Sequence, residues 1–94
     1  MQAIVLQAAA WALDQKAGTI ESAGNRVAAR VAQAIDGGAW RGPAADDHRR
    51  RTDARAAELR RAAADMRLLA RRFRARADQL AEEDRRRAAQ TGAH

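Results

Sequence analysis

Two runs of seven-residue spacing, interrupted once near the middle, constrain this chain more than any other feature. Before the interruption Leu6, Leu13, Ile20, Val27 and Ala34 recur every seven residues, and Ala3, Ala10, Ala17, Gly24 and Val31 stand three before each. After it Leu59, Met66, Phe73 and Leu80 keep the same interval, with Ala56, Ala63, Ala70 and Ala77 three before each. Spacing of this kind is an a/d heptad seam along one side of an α-helix. Both halves place a small residue at a and a large one at d. Small residues let two helix axes approach closely while the larger ones fill the remaining space, an arrangement that suits an antiparallel pair. Few β-branched or aromatic residues and a single proline also disfavour sheet. The expected fold is therefore all-α, a long antiparallel helical hairpin.

The corner of that hairpin reads from DGGAWRGPAADD, residues 36 to 47. Gly37 and Gly38 can take the positive φ that ends a helix, and Pro43 suits the first turn of the next one. Asp46 and Asp47 then bring negative charge to that helix's positive end. This predicts one domain over 1–90, with a helix at about 2–36, a turn at about 37–43, a second helix at about 43–88, and a frayed tail at 91–94. At about 1.5 Å per residue the helices would run to roughly 50 and 65 Å. Trp40 sits in the turn, where polar residues are the rule. An indole there can cap the apolar gap between diverging helices, its N–H reaching a free carbonyl at the first helix's end, while Gly42 lets the backbone turn beneath the ring.

A chain of 94 residues without cysteine has a thin core and no disulfide to reinforce it. Apolar residues are nevertheless left over. Ile4 and Trp11 lie far around the first helix from Leu6, and Leu68 lies opposite Leu59. One seam cannot cover both sides, so two hairpins are expected to associate into a four-helix bundle through Ile4, Trp11 and Leu68.

The net charge of +6 falls wholly after the corner, because residues 1–36 carry three basic and three acidic side chains. Arg50, Arg61 and Arg72, eleven residues apart, form a stripe opposite Leu59 that could follow phosphates. Acidic residues are interspersed, however, and no aromatic outside the seam is available to stack bases. A cytoplasmic coiled coil binding nucleic acid is thus the alternative reading, behind protein pairing. Catalysis has little to draw on. His48 and His94 are the only histidines, Glu82, Glu83 and Asp84 point in different directions, and Ser22 has no base at helical spacing. No enzyme activity, cofactor or metal is expected. The apolar opening MQAIVLQAAAWALD has no Lys or Arg ahead of it and is too short to span a bilayer.

A cysteine-free, all-helical chain of this size, with Trp40-Arg41-Gly42 at the turn between heptad-patterned helices and Ala44, Ala45 and Asp46 following, resembles the WXG family of Esx-like proteins. The resemblance implies homodimers or heterodimers with another small helical protein or a larger secreted toxin. It also implies synthesis in the cytoplasm and release or envelope association through a type VII secretion system of actinobacteria and related Gram-positives, without a cleavable signal. In that family the W-x-G turn lies beside a partner's Tyr-x-x-x-Asp/Glu motif. This chain has no tyrosine: Phe73 is followed four residues later by Ala77, and Leu80 by Asp84. An exported pair would take its tyrosine motif from another subunit.

Overall fold

A computed structural model describes residues 2–92; Met1, Ala93 and His94 lie outside the described residues, as does the end of the expected tail. The chain forms α1, Gln2–Asp36, and α2, Pro43–Gly92, packed along each other as a hairpin. No strand occurs among the described residues. The hairpin is a rod of 79 × 14 × 14 Å with a radius of gyration of 22.0 Å, against about 12 Å for a compact domain of this length.

The seam is built from small residues. Ala10, Ala17 and Gly24 of α1 and Ala56, Ala63, Ala70 and Ala77 of α2 are buried. Leu59 is seated directly on Gly24: a Cβ added there would stand 2.8 Å from Leu59 Cδ1 and 3.5 Å from Ala56 Cα. The register that sets Leu59 on Gly24 sets Met66 on Ala17, Phe73 on Ala10 and Leu80 on Ala3. Reciprocally it sets Leu13 on Ala70 and Ile20 on Ala63. Each layer thus holds one large and one small side chain. Leu6, Leu13, Ile20, Leu59, Met66, Phe73 and Leu80 are all half-buried, and no large side chain among the described residues is fully buried. Since a Leu or Phe yields about 1.5–3 kcal/mol only on complete burial, this seam is a weak core for its length.

The corner is a Schellman turn. Gly38, with φ +80°, donates its N–H to Ile35 O at 3.1 Å, and Ala39 donates to Ala34 O at 2.9 Å. Trp40 N–H also donates to Ala34 O, at 3.2 Å. These bonds satisfy carbonyls that the end of α1 would otherwise leave open. Gly37 does not take positive φ; the second glycine that does is Gly42, at +106°. Gly42 O accepts the first helical bond of α2, from Asp46 N–H at 3.1 Å.

At the other end α2 runs four residues further than its sequence suggested, through Thr91 and Gly92. The register places Gln2 level with Ala81, so the last turns of α2 project about 16 Å beyond α1. The seam positions that would follow Leu80 are Asp84 and Arg87: apolar patterning stops where the partner helix stops. Pairs within the projecting turns, including Arg85 with Glu82 at 2.6 Å and Arg87 with Asp84 at 3.4 Å, take its place.

Candidate functional site

Trp40 stands at the blunt end of the rod, 38% exposed. Its ring rests against His48, centroids 5.2 Å apart and planes tilted by 51°. The indole N–H makes no hydrogen bond among the described residues; of the carbonyls at the end of α1, one of which it was expected to reach, Gln33 O, Ala34 O and Ile35 O already accept from backbone N–H groups of the turn. Gly42 also acts differently from expectation. A Cβ there would meet nothing within 4 Å, so its backbone dihedral, and not clearance beneath the ring, calls for glycine. Arg41 folds back over Gly38, where a Cβ would lie 2.9 Å from its guanidinium. The tripeptide therefore points its aromatic at α2 and its cation at the end of α1. His48 as the indole's support was missed from sequence; its place in the first turns of α2, facing back to the corner, is the signal that could have found it.

The two helices have different outer faces. On α1 the outer residues Ile4, Ala8, Trp11, Gln15, Gly18, Ser22 and Ala29 are uncharged, with Asp14 and Arg26 flanking them around Gly18. Ile4 is 70% exposed, Val5 62% and Trp11 63%. On α2 the corresponding face carries Arg50, Arg61, Arg71 and Arg72 around Leu68. Leu68 and the neighbouring Leu69 are 40% and 39% exposed. Ile4, Val5 and Trp11 thus form one exposed apolar patch near the start of α1, while Leu68 sits on a different helix among arginines.

Ions bind the helices along one flank. Arg74 meets Asp14 at 2.6 Å, Arg67 meets Glu21 through two bonds of 3.1 and 3.4 Å, and Arg60 reaches Asn25 at 3.0 Å. Nearer the corner Arg49 meets Asp36 at 2.9 Å. The hydrogen bonds from Arg67 hold the Glu21 carboxyl below its ordinary range, with the positive charges of Arg67 and Arg60 adding to them and burial opposing. Arg67 is raised in return, chiefly by the same bonds.

The opposite flank is open near the corner. An apolar groove of about 560 Å³ lies between Gly24, Val27, Ala56 and Leu59, with His48 and Arg55 at its rim. Val27, placed in the seam by its spacing, lines this groove and is 53% exposed. The reason is local: Leu59 leans over Gly24, and the next turn of α2 offers only Thr52 to cover the valine.

Of the arginine stripe, Arg50 has a carboxylate neighbour, Asp47 at 3.8 Å; Arg61 and Arg72 have none among the described residues. No group of three metal-ligating side chains forms among the described residues, and no helix is long and apolar enough to cross a membrane. Compared with known proteins, the chain matches no family, no curated protein and no solved structure.

Proposed function

We propose that this protein is a non-catalytic pairing module: a helical hairpin that associates with another helical hairpin and is handled as a small type VII secretion substrate, chaperone or export adaptor. The observation that carries the pairing is the outer face of α1, which exposes Ile4, Val5 and Trp11. A weak seam with no fully buried large side chain leaves such a patch in water only at a cost. The observation that supports the export reading is the Trp40-Arg41-Gly42 corner between two heptad helices, with the indole 38% exposed on a fixed turn where another protein can read it.

The test of export is the appearance of the protein in culture filtrate of its native host. Filtrate from cells with an intact type VII system should contain it and filtrate from cells lacking that system should not. Equal release from both would remove the export reading. Co-purification from the same host identifies the partner, which should supply the tyrosine motif this chain lacks.

A second reading, binding to nucleic acid, is favoured by one observation: Arg61, Arg71 and Arg72 expose guanidinium groups with no carboxylate partner on one side of α2. Binding to duplex DNA that persists at physiological salt, and is lost with Arg61→Ala and Arg72→Ala together, would support it over pairing.

A further inference from the structure

The large positions of the α2 seam fail toward the corner. Counting back by sevens from Leu59 reaches Thr52 and then Ala45, where the spacing calls for two more large side chains. Thr52 turns its hydroxyl to its own helix, donating to His48 O at 2.8 Å. The seam is therefore hollow at this layer, and the groove of about 560 Å³ opens there, lined by Gly24, Ala56 and Leu59 and by Val27, which is 53% exposed. A leucine at residue 52 would fill the hollow and favours helix more than threonine does. The hairpin's own stability gives no reason to leave it open.

The groove is a bounded trough. Its lining takes one turn of α1, Ala23 to Val27, and three turns of α2, His48 to Leu59, a length of about 16 Å. His48, with the Trp40 ring 5.2 Å away, stands at the corner end. Beyond Leu59 the seam closes over buried Ala17 and Ala63. A single turn of wall on α1 is too short to seat a helix through anchors at i, i+3 and i+7. An apolar lining of this volume with a few polar groups at its rim instead matches a small-molecule site.

Charge selects the kind of molecule. Arg51 and Arg55 line the rim from α2. Arg51 meets Asp47 at 3.4 Å and Arg55 meets Glu58 at 3.2 Å, both pairs exposed, and a guanidinium has donors left over from one such contact. On the opposite wall α1 carries no acid between Glu21 and Asp36, and those two are engaged by Arg67 and Arg49. An anionic head with an apolar body fits this rim and this lining.

We infer that the trough binds a free fatty acid. Its alkyl chain, about a dozen carbons for the length available, lies along Val27, Ala56 and Leu59, and its carboxylate accepts hydrogen bonds from Arg51 and Arg55. The inference goes beyond the pairing and export reading and does not depend on it.

The experiment uses Trp40 as its probe, because its ring rests on His48 at the end of the trough; Trp11→Phe leaves it the sole indole. Dodecanoate titrated into the full-length Trp11→Phe chain is expected to shift Trp40 emission saturably at one molecule per hairpin. Octanoate should bind about tenfold more weakly, since fewer methylenes leave water. Dodecylamine, with the same tail and the opposite charge, should also bind about tenfold more weakly. Arg51→Gln with Arg55→Gln should weaken dodecanoate about tenfold and leave dodecanol unchanged. Thr52→Leu should keep its helix content, melt higher, and bind dodecanoate about tenfold more weakly or not at all, its trough being filled. Equal binding of dodecanoate and dodecylamine, several molecules per hairpin, or undiminished binding to Thr52→Leu would each overturn the inference, as adsorption of detergent to the exposed Ile4 and Val5 would produce them. Displacement of dodecanoate by an acidic amphipathic peptide would assign the trough to a protein segment and overturn it as well.

Discussion

Leu59 lies so close over Gly24 that a single methyl at residue 24 would stand 2.8 Å from Leu59 Cδ1. The end of a leucine can rotate away from a methyl, so Gly24→Ala sets a small steric cost against a helix-propensity gain of about 1 kcal/mol and should be near neutral. A β-branched side chain leaves no such escape. Gly24→Ile is expected to force the helices apart and cost about 2 kcal/mol, read as a lower urea midpoint by far-ultraviolet circular dichroism. Equal stability of the two variants would mean that the helices are not closely apposed at this layer.

The two positive-φ glycines of the corner respond differently from Gly37. Alanine at Gly38 (φ +80°) or Gly42 (φ +106°) should each cost roughly 1–2 kcal/mol, because an L side chain is strained in that region. Gly38→Ala should lose more than Gly42→Ala, since it also displaces Arg41, 2.9 Å from the added carbon. Thermal melts of the two variants check the order.

Trp40 and His48 touch through their rings, and neither is hydrogen-bonded to the other. Trp40→Ala and His48→Ala should therefore couple: a double-mutant cycle is expected to give about 0.5–1 kcal/mol of interaction. Zero coupling would place the indole in solvent. The single Trp40→Ala variant should stay folded, which makes it usable for testing recognition of the corner during export.

Acid should weaken the hairpin through Glu21. The Arg67 hydrogen bonds lower its carboxyl below the ordinary 4.5 in the folded chain, so the folded state binds fewer protons than the unfolded one. The resulting stability is complete above the unfolded value and is lost as pH falls through the lower, folded one. Melting temperature should therefore drop below about pH 4.5, and Glu21→Gln should flatten that drop. Glu82 is lowered too, chiefly by its hydrogen bond from Arg85. Both residues sit on the projecting end of α2, so Glu82→Gln should change helix content there and leave the midpoint in place.

Ending the chain after Ala81 removes turns of α2 that no part of α1 covers. The shortened protein should melt within about 0.5 kcal/mol of the full chain, as expected for a change outside the packed region. A large loss of stability would mean that the projecting turns fold back onto the rod.

Most of this fold was legible because heptad spacing fixes which residues face each other. Gly24 and Leu59 on the seam, the Gly38 turn and Pro43 at the head of α2 all follow from local rules applied to the sequence, whereas the register that sets Leu59 on Gly24 does not. The far end was legible as a pattern, since Asp84 and Arg87 interrupt the seam, but its length was not. Ala88, Ala89 and Gln90 favour helix whether or not a partner helix lies beside them. Val27 and Trp40 were harder for a shared reason. Spacing assigns a face, but exposure depends on how the neighbouring layer fills: Thr52 is too small to cover Val27, and carbonyls at the end of α1 are already occupied by backbone donors of the turn. The arginine pairs across the seam were not legible, because Arg60, Arg67 and Arg74 each had acids nearer in sequence than Asn25, Glu21 and Asp14.

Gln2 and Gly92 both lie toward the same end of the rod, since α1 begins and α2 finishes away from the corner. Tension between them would pull the helices apart like a zipper, meeting one layer at a time: Leu80, then Phe73, Met66 and Leu59. No layer shares its load with the next, so the chain should yield to a weak pull in small steps and straighten into a single thread, with the Schellman turn the last part to open.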